Sequence, residues 1–230
     1  MEGPTRTIWA PPVEKTKYMP SGYTGPPPHI TIDGTAIKTT TSFTYLGSRL
    51  SQDGSTLPDA KQRASAAWKK WRETTGVFCD KKIPVKLNRS VIRPVAMYGS
   101  ECWPTTKPVE NALHGMEMKM LRWTPGYTRK DKKRNTDIRK WMGVAPIQEK
   151  IGKGRLRWFG HVMRRESHEV CRTAYDLRVV GNRPKGRPKT RWMDTVNKDL
   201  RIAGLEPEDA LGRVAWRRNI RAADPITTWE

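Results

Sequence analysis

The chain has 230 residues and a formal net charge of +21, from 44 Lys and Arg against 23 Asp and Glu. That length suits one or two small domains with a buried core, and that charge describes a body that attracts polyanions, of which nucleic acid is the usual one. Three cysteines make no paired framework, no apolar run is long enough to span a bilayer, and the amino end lacks a signal peptide's apolar core; the composition argues against secretion and membrane insertion and for an intracellular place, nuclear or cytoplasmic.

Residues 1–28 are rich in Pro, Gly and Thr and read as disordered or loosely attached. Residues 29–52 follow as a short β segment. Ile30, Ile32 and Ile37 flank an Asp33-Gly34 turn, which suits a hairpin, and Phe43, Tyr45 and Leu46 make a further short strand ended by Gly47. Near residue 56 the period becomes helical. Thr56 stands three residues before Asp59, a helix-start signal, and Ala60, Ala64, Ala67, Trp68 and Trp71 recur at spacings of three and four.

A second helix is expected to carry Leu87, Val91, Val95, Tyr98 and Cys102 on one face, bent at Pro94. A third places Val109, Leu113, Met116, Met120 and Trp123 on one face, so residues 53–126 read as a helical bundle. Residues 127–180 form a more basic helical region. It opens on the charged connection "YTRKDKKRN", then "TDIRKWMG" as a short helix. A longer helix in "APIQEKIGKGRLRWFGHVMRR" is weakened by Gly152 and Gly154, each costing about 1 kcal/mol relative to alanine. Between Lys150 and Arg165 that stretch has six cations and no acid.

Residues 181–191 form a basic Pro/Gly arm, "RPKGRPKTR" in its charged part. Its "PKGRPK" resembles an AT-hook core, in which glycine lets the backbone sit deep and flanking cations enter a narrow, negative minor groove. Residues 192–225 close the chain with two helices. Trp192, Val196 and Leu200 lie four apart with Gly204 as a cap, and "EPEDALGRVAWRRNIRAAD" begins acidic and ends basic, as the helix dipole favours.

Catalytic chemistry is sparse. No adjacent Asp pair exists to hold two metals; Glu117 and Asp194 read as surface partners for Lys or Arg. His161, His168 and Cys171 fit no standard zinc spacing, so an ordinary helix histidine and a small buried cysteine are the better description. Ten tryptophans, most beside a Lys or Arg, read mainly as helix faces with the ring inside and the cation outside. Exposed rings among them would be free to stack on bases.

Six blocks in order resemble a known family: "FTYLGSRLSQDG", "AAWKKWRETTGVFCDKKIP", "RPVAMYGSECWP", "MEMKMLRW", "GVAPIQEKIGKGRLRWFGHVMRR" and "RPKGRPKTRWMDTV". Across roughly residues 30 to 225 the chain is similar to the carboxy-terminal part of the endonuclease–reverse transcriptase of non-LTR retrotransposons, the RTE and BovB-like group. In that family the metal-binding Asp pair of the polymerase palm stands upstream of the YLG block, and the endonuclease further upstream. The resemblance therefore implies the end of a palm with a primer grip (Phe43, Tyr45, Leu46, Gly47), a helical thumb and a basic carboxy-terminal region.

The expected fold is mainly α, with a short amino-terminal hairpin before a thumb-like bundle and a second basic helical region. The expected partner is RNA or DNA, a primer–template duplex above all. Its phosphates would be met by Lys150, Lys153, Arg155, Arg157, Arg164, Arg165, Arg183, Lys185, Arg187, Lys189 and Arg191, with Gly186 giving the arm its close approach. No cofactor is expected in this chain, since the divalent metal belongs to the palm, and no membrane is involved. A chain truncated before the palm would not polymerise alone; the oligomeric state is left open. A helical protein–protein interaction module and a decayed element remnant are the alternative readings.

Overall fold

The computed structural model describes residues 13–21, 25–78, 86–177 and 188–220. The opening through residue 12, Cys79, the side chain of Leu87, the heart of the basic arm (Arg183, Lys185, Gly186 and Arg187) and residues beyond 220 lie outside the described residues. The chain divides into two compact units, residues 1–58 and 59–230. It is mainly helical, and among the described residues the short strands lie in the first unit. Among the described residues no helix is long and apolar enough to cross a membrane.

The first unit holds three two-stranded sheets. Strands β1 (Lys17–Tyr18) and β4 (Lys38–Thr39) pair in parallel, so part of the stretch read from composition as loose is tied down by backbone hydrogen bonds. Strands β2 (Thr31–Ile32) and β3 (Thr35–Ala36) form the expected hairpin, with Asp33 and Gly34 both at positive φ (48° and 76°). That pair of left-handed residues matches the twist of a two-residue hairpin. Strands β5 (Ser42–Tyr45) and β6 (Ser48–Ser51) form a second hairpin, turning on Leu46 (φ 47°) and Gly47 (φ 83°). The sequence reading placed one strand here and missed its partner "SRLS", whose alternation is too polar to register.

The second unit is helical. Its helices are α1 (Leu57–Phe78), α2 (Lys86–Ala96), α3 (Lys107–Trp123), α4 (Asn135–Met142), α5 (Ile147–Met163), α6 (Val170–Asp176), α7 (Trp192–Ala203) and α8 (Arg213–Asn219). Ala60, Ala67 and Trp71 of α1 are buried, as the spacing implied. Asp59, expected as a helix-start residue, is buried and accepts a hydrogen bond from Trp103 Nε1 at 3.1 Å.

Helix α2 is shorter than the sequence suggested. Gly99 at φ 75° cannot continue a helix, and a 3-10 turn at Ser100–Cys102 follows. Tyr98 and Cys102 therefore leave the buried face; both are exposed, and Tyr98 lies 4.4 Å beneath the Arg63 guanidinium. Among the described side chains of α2, Ile92, Arg93 and Ala96 are buried, with Val91 and Val95 half-buried beside them. In α3, Val109, Leu113, Met116 and Met120 are buried as expected, but Trp123 at the helix end is exposed.

Glu117 is the main departure on α3. It is buried, and it holds two arginines from other helices. Arg93 of α2 lies 2.7 Å from Oε1, and Arg139 of α4 lies 2.6 Å from Oε2. Both guanidiniums also donate to the Ala145 carbonyl just before α5. The one acid thus joins four segments.

His114, one turn before Glu117, has Arg139 Nη2 3.3 Å from Nδ1 and Asn135 Nδ2 3.3 Å from Nε2. Burial, then the Arg139 charge, hold the imidazole below its ordinary value of 6.5. The folded protein therefore binds this proton less readily than the unfolded chain does. Stability from this group is level above about pH 6.5 and falls as pH drops below it. His114→Gln is expected to flatten that part of the pH profile, read as the difference in urea midpoints between pH 7.5 and 5.5 for the two proteins; parallel profiles would refute it.

Helix α5 is the hub of the second unit. It packs on the 3-10 turn at Ser100–Cys102, on α3, α6, α7 and α8, and on a second 3-10 turn at Pro207–Leu211. Its buried residues Ile147, Ile151, Arg155, Phe159 and Val162 recur at spacings of four and three. Leu156 and Phe159 join Val196 and Leu200 of α7 and Trp216 of α8 in one core cluster. Met118 and Leu121 of α3 join Ile138 and Met142 of α4 in another. The last stretch, read as a single helix, is two elements: the 3-10 turn at Pro207–Leu211 and α8, separated by Gly212.

Candidate nucleic-acid interface

Helix α5 has no β-carbon at position 160, and the indole of Trp216 occupies the space. A Cβ built there would lie 2.3 Å from Trp216 Nε1. The indole is buried and donates to the Leu156 carbonyl at 3.1 Å, which pins α8 against α5. Trp216 is flanked on α8 by Arg213 and Arg217, four residues apart. Drawing the indole onto α5 therefore brings those two arginines beside Arg157, His161 and Arg164.

The result is a cleft of about 630 Å³ lined by these four arginines, His161, Trp158, Gly154 and Trp216, with Glu101 as its one carboxylate among the described residues. Arg157, Arg213 and Arg217 are exposed, and Arg164 is half-buried and donates to the Ala210 carbonyl. Burial first, then the charges of Arg213 and Arg217, push the Arg164 guanidinium below its ordinary value. The cations in the cleft repel one another, and an anion placed among them relieves that repulsion. Trp158 lies 5.3 Å from His161 with the rings 32° apart, giving the cleft an aromatic wall.

Of the cations singled out in the sequence, the structure brings Arg157 and Arg164 together here. Arg165 is exposed next to them but is engaged by His161 Nε2 at 3.0 Å and by Glu169 at 3.1 Å. Arg155 is not at the surface. It is buried, ion-paired with Asp199 of α7, and donates to the Thr105 hydroxyl. Burial pushes the Arg155 guanidinium down and the Asp199 carboxyl up, each partly offset by the other's charge. An arginine committed in this way holds α5 to α7 and is not available to a phosphate.

Lys150 and Lys153 are half-buried on the first turns of α5, and Lys153 lines a smaller cavity with Glu110, Lys198 and Asp199. Lys189 and Arg191 are exposed ahead of α7. Asp194, read as a surface partner for a cation, instead caps α7 by accepting the Arg191 N–H at 2.7 Å.

Phe43, Tyr45, Leu46 and Gly47 sit on β5 and its turn, with the three larger side chains exposed. Phe43 and Tyr45 alternate onto one face of the hairpin, and Leu50, directly across from Phe43, shares it. Among the described residues no three His, Cys, Asp or Glu gather as a metal-binding group.

The sequence reading missed Arg213 and Arg217. The available signal was their i, i+4 spacing around Trp216 in "GRVAWRRN", together with the glycine in "WFGHV" that admits the indole.

No family model matches the chain, and no solved structure matches it. Over 174 residues it is 28% identical to an uncharacterized transposon-derived protein of Caenorhabditis elegans. The match takes in 72% of this chain and 62% of that protein, so the chain spans less than two thirds of its relative's length. That likeness supports a transposon-related origin for the chain.

Proposed function

We propose that the chain is a nucleic-acid-binding portion of a retrotransposon reverse transcriptase of the RTE and BovB-like group, gripping the phosphate backbone of a primer–template duplex, element RNA or target DNA. The observation that carries this reading is the convergence of Arg157, Arg164, Arg213 and Arg217 on one concave cleft whose lining, among the described residues, contains a single carboxylate. Guanidinium groups recognise phosphate oxygens through forked donors, and a cleft concentrates their field. The transposon-derived relative and the ordered sequence blocks support the parentage. The chain's own share of the work is binding; the metal-holding aspartates belong to the palm, and polymerisation is assigned there.

The test is fluorescence anisotropy with labelled duplex DNA, duplex RNA and an RNA–DNA hybrid across a salt series. The combined variant Arg157→Ala, Arg213→Ala and Arg217→Ala removes three exposed cations and leaves Arg164, which supports Ala210, in place. Each lost phosphate contact lowers the slope of log affinity against log salt by about 0.9. The variant is therefore expected to lose about 3 from the slope and at least tenfold in affinity at low salt. An unchanged slope would remove the cleft from the interface, and weak binding of the parent chain to all three duplexes would overturn the reading itself.

A further inference from the structure

The connection from α3 to α4 carries a second concentration of charge that shares no residue with the cleft. Arg129, Lys130, Lys132, Lys133 and Arg134 are all exposed within six positions, and Lys140 joins them from α4. The nearby acids are Asp131 and Asp137. Asp131 is spent inside the loop, where its carboxylate accepts the Thr128 N–H and, at 2.8 Å, the Thr128 hydroxyl. The loop is also fixed at its far end. Arg122 donates to the Lys133 carbonyl at 3.1 Å and to Asn135 Oδ1 at 2.6 Å. The cations thus stand on an organised backbone.

Two aromatic rings lie within this charge. Tyr127 packs against the cluster of Met118, Leu121, Ile138, Met142 and Val144, with Lys133 Nζ 6.0 Å from its ring centre. Helix α4 buries Ile138, Arg139 and Met142 and turns Trp141 outward, leaving it 64% exposed. The Tyr127 and Trp141 rings are 6.3 Å apart and tilted by 54°, so they do not cover each other's faces. An isolated exposed ring needs no explanation. A largely exposed indole beside an anchored tyrosine, within a pinned loop of cations, has the two parts of a single-strand site: charge for the phosphates and a flat face for a base. A duplex keeps its bases stacked inside and offers no such face.

We propose that Trp141 and Tyr127, with the loop cations, form a stacking site for an unpaired base of single-stranded RNA or DNA. This goes beyond backbone grip at the arginine cleft and stands or falls separately from it. The probes are labelled oligo(rU) and oligo(dT), whose two arms separate RNA from DNA, and a duplex of equal length, each tested on the full chain.

Trp141→Ala is expected to weaken single-strand binding about tenfold while leaving duplex affinity unchanged, with Trp141→Phe recovering most of the loss. Because the indole is largely exposed, the variant's thermal unfolding should match the parent's. A triple variant, Lys130→Ala, Lys132→Ala and Lys133→Ala, should flatten the salt dependence of single-strand binding and keep the aromatic preference. The proposal is overturned if Trp141→Ala binds single strands as the parent does, if it weakens duplex to the same extent, or if poly-glutamate competes as well as unlabelled oligo(dT), which would mark an acidic-peptide site. The single-strand arms have their own reference and remain readable even if no duplex binds.

Discussion

Glu117→Ala is expected to cost the second unit about 3–5 kcal/mol, the range for removing one partner from a buried ion pair. The carboxylate and both guanidiniums have less than a tenth of their side-chain surface exposed. In the parent protein Arg93 and Arg139 each face one carboxylate oxygen. Without it, two buried positive charges converge on the Ala145 carbonyl and repel each other across it. Glu117→Gln should be nearly as damaging, since an amide fills the space but removes the charge and turns a donor toward an arginine. Replacing the triad as a whole by Met at positions 93 and 139 and Leu at 117 should cost far less, because no desolvated charge is left behind. Urea midpoints followed by circular dichroism give the ordering. A Glu117→Ala protein within about 1 kcal/mol of the parent would refute the account. If that variant does not fold, the apolar triple variant still decides the question, since a triad that only fills volume would make the two equally harmful.

The same residues show how far sequence reasoning reaches. The apolar stripe of α3 was legible because burial repeats every three to four residues within one helix, and Val109, Leu113, Met116 and Met120 obey it. The Asp33-Gly34 turn and the Gly204 cap were legible because left-handed backbone restricts residue choice. What makes Glu117 a buried junction lies 24 residues before it, at Arg93, and 22 after, at Arg139, and no local pattern connects them.

Arg155 shows the converse. In the sequence it is one of six cations on a basic stretch, yet its position in the Ile151–Phe159 register places it inside. Had the period of four been applied to the cations as well as the apolar residues, Arg155 would have separated from Arg157 and Arg165. The cleft was half legible: its α5 side lay in one basic run, whereas its α8 side depends on an indole packing across 56 residues of sequence.

The glycines of α5 turn that dependence into a prediction of opposite signs within one helix. Alanine in place of glycine in a helix interior gains about 1 kcal/mol from propensity. At Gly154 nothing stands within 4 Å of an added Cβ, so Gly154→Ala is expected to stabilise the fold by about 0.5–1 kcal/mol. At Gly160 the methyl group would meet Trp216 Nε1 at 2.3 Å and Cδ1 at 2.7 Å, with Arg164 Nη1 at 3.0 Å.

The indole cannot yield without breaking its bond to the Leu156 carbonyl and its packing against Phe159, 6.2 Å ring to ring. Overpacking of about 1–3 kcal/mol and a lost hydrogen bond of about 1 kcal/mol outweigh the propensity gain of about 1 kcal/mol, so Gly160→Ala should destabilise by about 1–3 kcal/mol. Its effect should also reach binding, because pushing α8 away carries Arg213 and Arg217 with it, and the salt slope for duplex should fall although no cation has been removed. Gly154→Ala should raise the urea midpoint and leave the slope as it was. If both alanines move the midpoint in the same direction, the close approach of Trp216 to α5 is not what assembles the cleft.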